Sequence, residues 1–579
     1  MRQKICELVK KEYISVIVAV LLLILLKMYL VFSVSGGPIS FGDELFYRKY
    51  SLQWFTIGRQ KAVHYPPVYP LLLAPSFLFG KNWYIAMKIL NIIYSSFVPA
   101  LVYLIVRIYL DRVKSIYCML IGCVIPFHFI MPTMILSENV YFPLFLLEIY
   151  LVLREYKKWY TGDFLIAFFL VILCLCRYIS IVTIPVFSIV WFMKERNGGF
   201  RIKELIARGF MILSLMTLFY APWILMNNQE VPVREIFGLG IADTPAPEQL
   251  SIERLLLSAV SYLCYYVLLA LPVLPTLFQS IGEISFRNIT ERYNQLWFMI
   301  AGLSGSFLAA VTRHSWRVSY NWPKFTRIMG RYLLYFPLLF ILLTFVVWSR
   351  EKKVSLKREI IIIMFSIPLI ILCYYAEIGR SWLHSGSNEI FLNFKGAMEG
   401  YKFVLLEHKF LAGGILILLV MHLFRHTKWK QYCFLVLFVC MLLYESAGME
   451  RYIETMNEYR EKKDSEAMEE MNTLLASEFP PMGEQQGVTE SSRLIPLYFE
   501  LPAEEVNLSW ESNYLNFYGN NRYIRIVKNF DEIEAGEYFY VITRKTDHYA
   551  AETVVKTLGS FKRTDGRAVL LLVKKKDSN

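Results

Sequence analysis

Charge is scarce in this sequence. Only 19% of the residues are Asp, Glu, Lys or Arg, against about 25% in soluble domains. With 56% hydrophobic residues, that scarcity excludes a disordered chain and an ordinary cytosolic enzyme. Cysteine is missing from the whole C-terminal part: the last of nine is Cys440. A small disulfide-stapled secreted domain is therefore excluded, and no zinc-type Cys spacing exists. No Gly-rich phosphate loop, low-complexity tract or transporter-type internal repeat is present. What the sequence has in abundance is long apolar runs, with a mean hydropathy of +0.41. The chain reads as a polytopic membrane protein with a polar segment attached.

A spanning helix needs about 20 apolar residues. The first run is Tyr13 to Phe32, preceded by Arg2, Lys4, Lys10 and Lys11. It is too long for a signal peptide and lacks a small-residue cleavage site, so a retained anchor with a cytoplasmic N-terminus is expected. Further spans are expected near 84–110, 114–135, 139–154, 163–176, 179–194, 209–226, 255–280, 294–311, 332–348, 359–376, 409–424 and 431–446, about 13 in all. Alternate loops then hold Lys157, Lys158, Arg196, Arg201, Lys203, Arg208, Lys352, Lys353, Arg425 and Lys428. That is the positive-inside pattern, and it accounts for the net charge of +13 without nucleic acid as a partner. Two loops on the opposite side break the pattern. Residues 35–83 carry Arg48, Lys49, Arg59 and Lys61, and 312–331 carry Arg313, Arg317, Lys324, Arg327 and Arg331. Cations on that side suit an anionic lipid headgroup or a phosphate.

The expected organisation is a transmembrane domain over 1–446 and an extracytoplasmic α/β domain over 447–579. Short β-like runs lie at 494–499, 523–527, 538–543 and 568–573, with a helical stretch expected at 550–558.

Chemistry concentrates in the first loop. It contains Gly42-Asp43-Glu44-Leu45-Phe46-Tyr47, then His64-Tyr65-Pro66-Pro67-Val68-Tyr69-Pro70. Leu45, Phe46, Leu52, Trp54, Phe55 and Ile57 against Arg48, Lys49, Gln53 and Arg59 suggest a helix lying in the membrane interface. A carboxylate held there could take a proton from an alcohol or amine. Adjacent helical residues point about 100° apart, so one of Asp43 and Glu44 faces any given cavity. Ser40 to Asp43 also matches a capping box, which would make the acids structural. Glu138, in the short loop Ser137-Glu138-Asn139, is either a functional intramembrane acid or a capped helix start. Arg177-Tyr178 and Arg331-Tyr332 are phosphate-binding candidates or interfacial anchors. No compact Asp/Glu/His cluster argues for a divalent metal, and no cofactor is implied.

In this order, Asp43-Glu44 with Tyr47, Pro66-Pro67-x-Tyr69-Pro70, Ser137-Glu138, Arg177-Tyr178, Pro222-Trp223 and Gly330-Arg331-Tyr332 resemble the membrane-embedded GT-C glycosyltransferases. The nearest branch is the protein O-mannosyltransferase and lipid A aminoarabinose transferase group. The resemblance implies a polyprenyl-phosphate sugar donor, membrane lipid around it, and an extracytoplasmic acceptor (glycan, lipid or protein). It implies Asp43 as general base, with Glu44 beside it, and inversion at the anomeric carbon. Glu138 would orient the acceptor or sugar. Arg177 and Arg331, with Tyr178 and Tyr332 beside them, would meet the leaving phosphate, and Arg313 and Arg317 are weaker candidates. His64-Tyr65 stand where the aminoarabinose branch has Lys, and would line the substrate site. A lipid-saccharide transporter or a non-catalytic envelope scaffold are the competing readings.

Overall fold

The structure is a computed structural model. It describes residues 2–33, 41–60, 65–125, 127–227, 252–281, 291–318, 332–349, 356–381 and 408–425, the strand segments 497–500, 524–527, 538–543, 554–563 and 566–574, and Phe237, Thr427 and Val439. The chain divides into two compact units. One comprises Met1–Ser33, Gln53–Thr133 and Ser137–Tyr452; the other comprises Val34–Leu52, Met134–Leu136 and Ile453–Asn579.

The first unit is helical because a bilayer offers the backbone no partners, so each span must satisfy its own N–H and C=O groups. In chain order its helices are α1 (Arg2–Ser33), the C-terminal part of α2 (Phe41–Ile57), α3 (Val68–Leu73), α4 (Trp83–Ser95), α5 (Val98–Val106), α6 (Arg112–Cys123), α7 (Phe127–Ile130), α8 (Glu138–Leu153), α9 (Trp159–Cys176), α10 (Ile184–Asn197), α11 (Ile202–Asn227), α12 (Ile252–Leu269), α13 (Leu274–Ile281), α14 (Arg292–Val318), α15 (Phe336–Ser349), α16 (Leu356–Ser381) and α17 (His408–Arg425). Each expected span from the first to 409–424 overlaps helix, with those at 84–110, 114–135 and 255–280 divided into shorter helices; 431–446 lies almost wholly outside the described residues. Among the described residues, 7 helices are long and apolar enough to cross a membrane by themselves.

Burial follows position in the bundle. Along α1, Val16, Leu23, Lys27 and Leu30 form a buried stripe, while Leu21, Leu22, Leu25 and Tyr29 are exposed, the side a lipid tail would cover. Helix α15 is buried on every face from Phe336 to Trp348. A helix apolar all round belongs at the centre. Small residues allow close approach: a Cβ on Gly302 would come 2.8 Å from Val186 Cγ1.

The span expected at 114–135 is broken. Helix α6 stops at Cys123, three residues before Pro126, because the residue preceding proline disfavours helix. The break leaves carbonyls that need donors. His128, buried in an apolar run, donates Nε2–H to Gly122 O at 2.7 Å, and Asn139 Nδ2 donates to Met131 O at 2.9 Å. A second polar insertion joins α1 to α4. Lys27 Nζ donates to Ser95 Oγ at 2.7 Å, and Ser95 Oγ donates to Asn91 O at 2.7 Å.

The side-chain contacts sort the helix ends into two sets. Glu138, Arg177, Tyr178, Trp223, His314 and Tyr332 meet at one end. The other end has two polar clusters. In one, Asp163, Lys194, Glu195 and Arg208 bridge α9, α10 and α11. In the other, Thr276, Trp348, His422, Glu359 and Arg425 bridge α13, α15, α16 and α17. This alternation is the one the charge pattern implies.

The second unit holds the beginning of α2 and a five-stranded sheet, order β2-β1-β3-β5-β4. Its strands are β1 (Leu497–Glu500), β2 (Ile524–Val527), β3 (Tyr538–Thr543), β4 (Val554–Arg563) and β5 (Gly566–Lys574). β2, β1 and β3 run parallel; β5 and β4 are antiparallel. The helix expected at 550–558 is a correction, since Val554–Arg563 is a strand paired with β5. β-branched Val554, Val555 and Thr557 favour that pairing. The helical part of the expected α/β domain falls outside the described residues.

Candidate active site

The acid at the start of α8 and the cation after α9 form the centre of the site. Glu138 is the first residue of α8, where the helix dipole favours a carboxylate. It is 1% exposed. Helix α9 ends at Cys176 because Arg177 leaves helical geometry (φ −150°, ψ 121°), and a 3-10 segment, Tyr178–Thr183, follows. Arg177 is thereby placed beside Glu138, and the two form an ion pair. Arg177 Nη1 also donates to Ser137 Oγ at 3.3 Å.

Aromatic rings hold the guanidinium. Arg177 Cζ lies 4.6 Å from the Tyr332 ring centroid and 5.7 Å from that of Tyr141. Such a cation–π contact contributes about 0.5–2 kcal/mol, more when desolvated. Ser180 Oγ donates to Tyr141 Oη at 2.9 Å, and the His314 ring packs edge-on against Tyr332 at 5.9 Å. Beside them, Trp223 Nε1 donates to Tyr178 Oη at 3.2 Å. Glu138, Arg177, Tyr178 and Tyr332, read separately from the sequence, thus converge. Tyr141, Ser180 and His314 were not anticipated. Tyr141 lies three residues after Glu138, on the same helix face, which was the available signal. His314 and Ser180 carried none.

Asp43 and Glu44 occupy the first turn of α2; the expected Ser40 cap lies outside the described residues. They differ in exposure: Asp43 is half-buried and Glu44 is 0% exposed. The buried face of α2 is a correction to the amphipathic reading. It includes Glu44, Tyr47, Arg48, Tyr50 and Ser51, whereas Phe55 and Ile57 are exposed. The helical spacing i, i+3, i+4, i+7 puts Glu44, Tyr47, Arg48 and Ser51 on one stripe, with Tyr50 at its edge. Burial pulls the Arg48 guanidinium down to about 10. The exposed Phe55 and Ile57 are what a membrane interface accepts.

The remaining candidates are dispersed. Tyr65 is half-buried, and its carbonyl accepts from Gln60 Nε2 at 2.6 Å. Arg313 is exposed on α14. Arg317 belongs to α14, but its side chain lies outside the described residues, as do His64 and Arg331 entirely. Among the described residues no group of three His, Cys, Asp or Glu could hold a metal ion.

No family model matches the sequence, and no curated protein does. Solved structures do match. ArnT from Cupriavidus metallidurans bound to undecaprenyl phosphate is similar over 96% of this chain and 97% of its own, with TM-score 0.56 and 12% identity. The apo state of the same protein gives TM-score 0.55. The archaeal oligosaccharyltransferase AglB from Archaeoglobus fulgidus gives 0.40 at 11% identity, too low to bear on the fold. The chain therefore shares the fold of ArnT. What it shares with ArnT is an architecture running nearly the full length of both chains.

Proposed function

We propose that the protein is a glycosyltransferase that moves a sugar from a polyprenyl-phosphate donor to an extracytoplasmic acceptor. The observation that carries this reading is the Glu138–Arg177 pair, stacked on Tyr332 at one end of a GT-C bundle. A buried acid and cation among aromatic rings supply what the transfer needs: a carboxylate for the acceptor or sugar and a guanidinium for phosphate. ArnT, which has this fold, was solved with undecaprenyl phosphate bound. The charge pattern of the loops supports a plasma-membrane protein with its N-terminus in the cytoplasm and its C-terminal segment outside.

In the proposed reaction an acceptor oxygen or nitrogen attacks the anomeric carbon. Its proton passes to Asp43. The bond from that carbon to the phosphate oxygen breaks on the opposite face, the configuration inverts, and polyprenyl phosphate leaves. Arg177, with Arg331, meets the negative charge that grows on the phosphate. Asp43 lies in the first turn of α2, where the positive end of the helix dipole favours a carboxylate.

The test uses purified protein in lipid and a panel of radiolabelled polyprenyl-phosphate sugars. Release of polyprenyl phosphate is expected, with a loss of about a hundredfold or more in Asp43→Asn. Full activity in that variant would remove Asp43 as the base. Neither binding nor release across the panel would favour a transporter of lipid-linked saccharides.

A further inference from the structure

Arg177 faces two anions in the proposed reaction, but its guanidinium is already engaged. Glu138 holds it in an ion pair, Ser137 accepts from Nη1, and Tyr332 covers its face. We infer that Arg177 changes partner during turnover: the donor phosphate takes the guanidinium from Glu138, and the released carboxylate then receives the acceptor. The inference rests on the proposed function and assigns an order to it, donor before acceptor.

Breaking a buried ion pair is ordinarily costly, because each charge is left uncompensated. Here each partner has a second source of stabilisation. Glu138 is the first residue of the 16-residue helix α8 and keeps the positive end of its dipole. Arg177 keeps the ring faces of Tyr332 and Tyr141. Tyr141 is itself held by the hydrogen bond from Ser180, so the aromatic side of the site stays in place while the anion is exchanged.

The chemistry drives the exchange in the productive direction. The donor is a phosphodiester with a single negative charge. Breaking its bond to the sugar creates a phosphomonoester, whose charge at neutral pH is about −1.5 to −2. Arg177 therefore binds the phosphate more strongly as the bond breaks, which is the differential stabilisation that accelerates a reaction. Glu138 acts as a competitor in the resting protein and as an acceptor-side group after displacement.

The test measures polyprenyl phosphate binding in lipid nanodiscs for wild type, Glu138→Gln, Glu138→Asp, Arg177→Ala and the Glu138→Gln/Arg177→Ala double variant. Removing the competing carboxylate in Glu138→Gln should tighten binding on the order of tenfold. Arg177→Ala should weaken it, and the gain from Glu138→Gln should vanish in the Arg177→Ala background. A merely structural Glu138 gives the opposite sign, so weaker or unchanged binding in Glu138→Gln overturns the exchange. If Glu138→Gln does not fold, Glu138→Asp decides: its shorter carboxylate should tighten binding to a smaller degree, and unchanged or weaker binding overturns the exchange. Absence of binding by the wild-type protein overturns the glycosyltransferase reading itself, and the exchange with it.

Discussion

Replacing Asp163 by Ala should destabilise the bundle by about 3 kcal/mol. Asp163 is 1% exposed and receives three hydrogen bonds. Arg208 donates Nε to Oδ2 and Nη2 to Oδ1, both at 2.7 Å, and Trp191 Nε1 donates to Oδ1 at 3.1 Å. Removing one partner of such a buried pair costs about 3–5 kcal/mol, because the other charge is left in a low dielectric. Two features place the loss at the low end. Arg208 Nη1 keeps its 2.8 Å contact with Glu195, and the guanidinium stays 4.4 Å from the Phe200 ring centroid. A chain unfolded within the bilayer also finds substitute partners, which lowers apparent values. The assay is equilibrium unfolding in bicelles, as a double-mutant cycle with Arg208→Met. The double variant should recover most of the loss, because the stranded cation goes with its partner. A single-variant loss under about 1 kcal/mol, or strict additivity in the cycle, would refute the reasoning.

The Lys27–Ser95 contact makes an asymmetric prediction. Ser95→Ala removes the acceptor of the buried Lys27 Nζ and should cost about 1–3 kcal/mol, whereas Lys27→Met should be near neutral or stabilising, both read by the same unfolding assay. Gly302→Ala places a Cβ 2.8 Å from Val186 Cγ1 and should cost about 1–3 kcal/mol by overpacking, with recovery in the Val186→Ala background. At the site, Tyr332→Phe should retain polyprenyl phosphate binding and Tyr332→Ala should weaken it several-fold, about 0.5–2 kcal/mol, because the ring face holds Arg177. Equal binding by both variants would remove the stacking role.

Much of the site was legible one residue at a time. Ionisable groups beside hydrocarbon are rare enough to stand out, which is why Glu138 and Arg177 were separable from their surroundings. Their pairing was not legible. Ser137 and Arg177 are 40 residues apart in the chain, and charge patterning cannot tell an interfacial anchor from a site cation. Lys27, a lone cation inside an apolar run, carries no sequence signal of its partner either. Its acceptor, Ser95, lies 68 residues away. The α2 stripe was misread because burying Glu44 and Arg48 contradicts hydropathy. The strand at 554–563 was missed because its pairing with β5 overrides the short helical pattern.

Composition by itself determined that the chain is a helical membrane protein, because only closed hydrogen bonding survives in hydrocarbon. The alternation of basic loops determined which helix ends belong together. Tertiary structure alone decided which polar groups meet. Within a bilayer no hydrophobic force separates one helix pairing from another, so partners are chosen by close packing and by a few buried polar contacts. Those contacts join residues far apart in sequence, and the Arg177 site exists only once α8, α9, α14 and α15 have assembled around it.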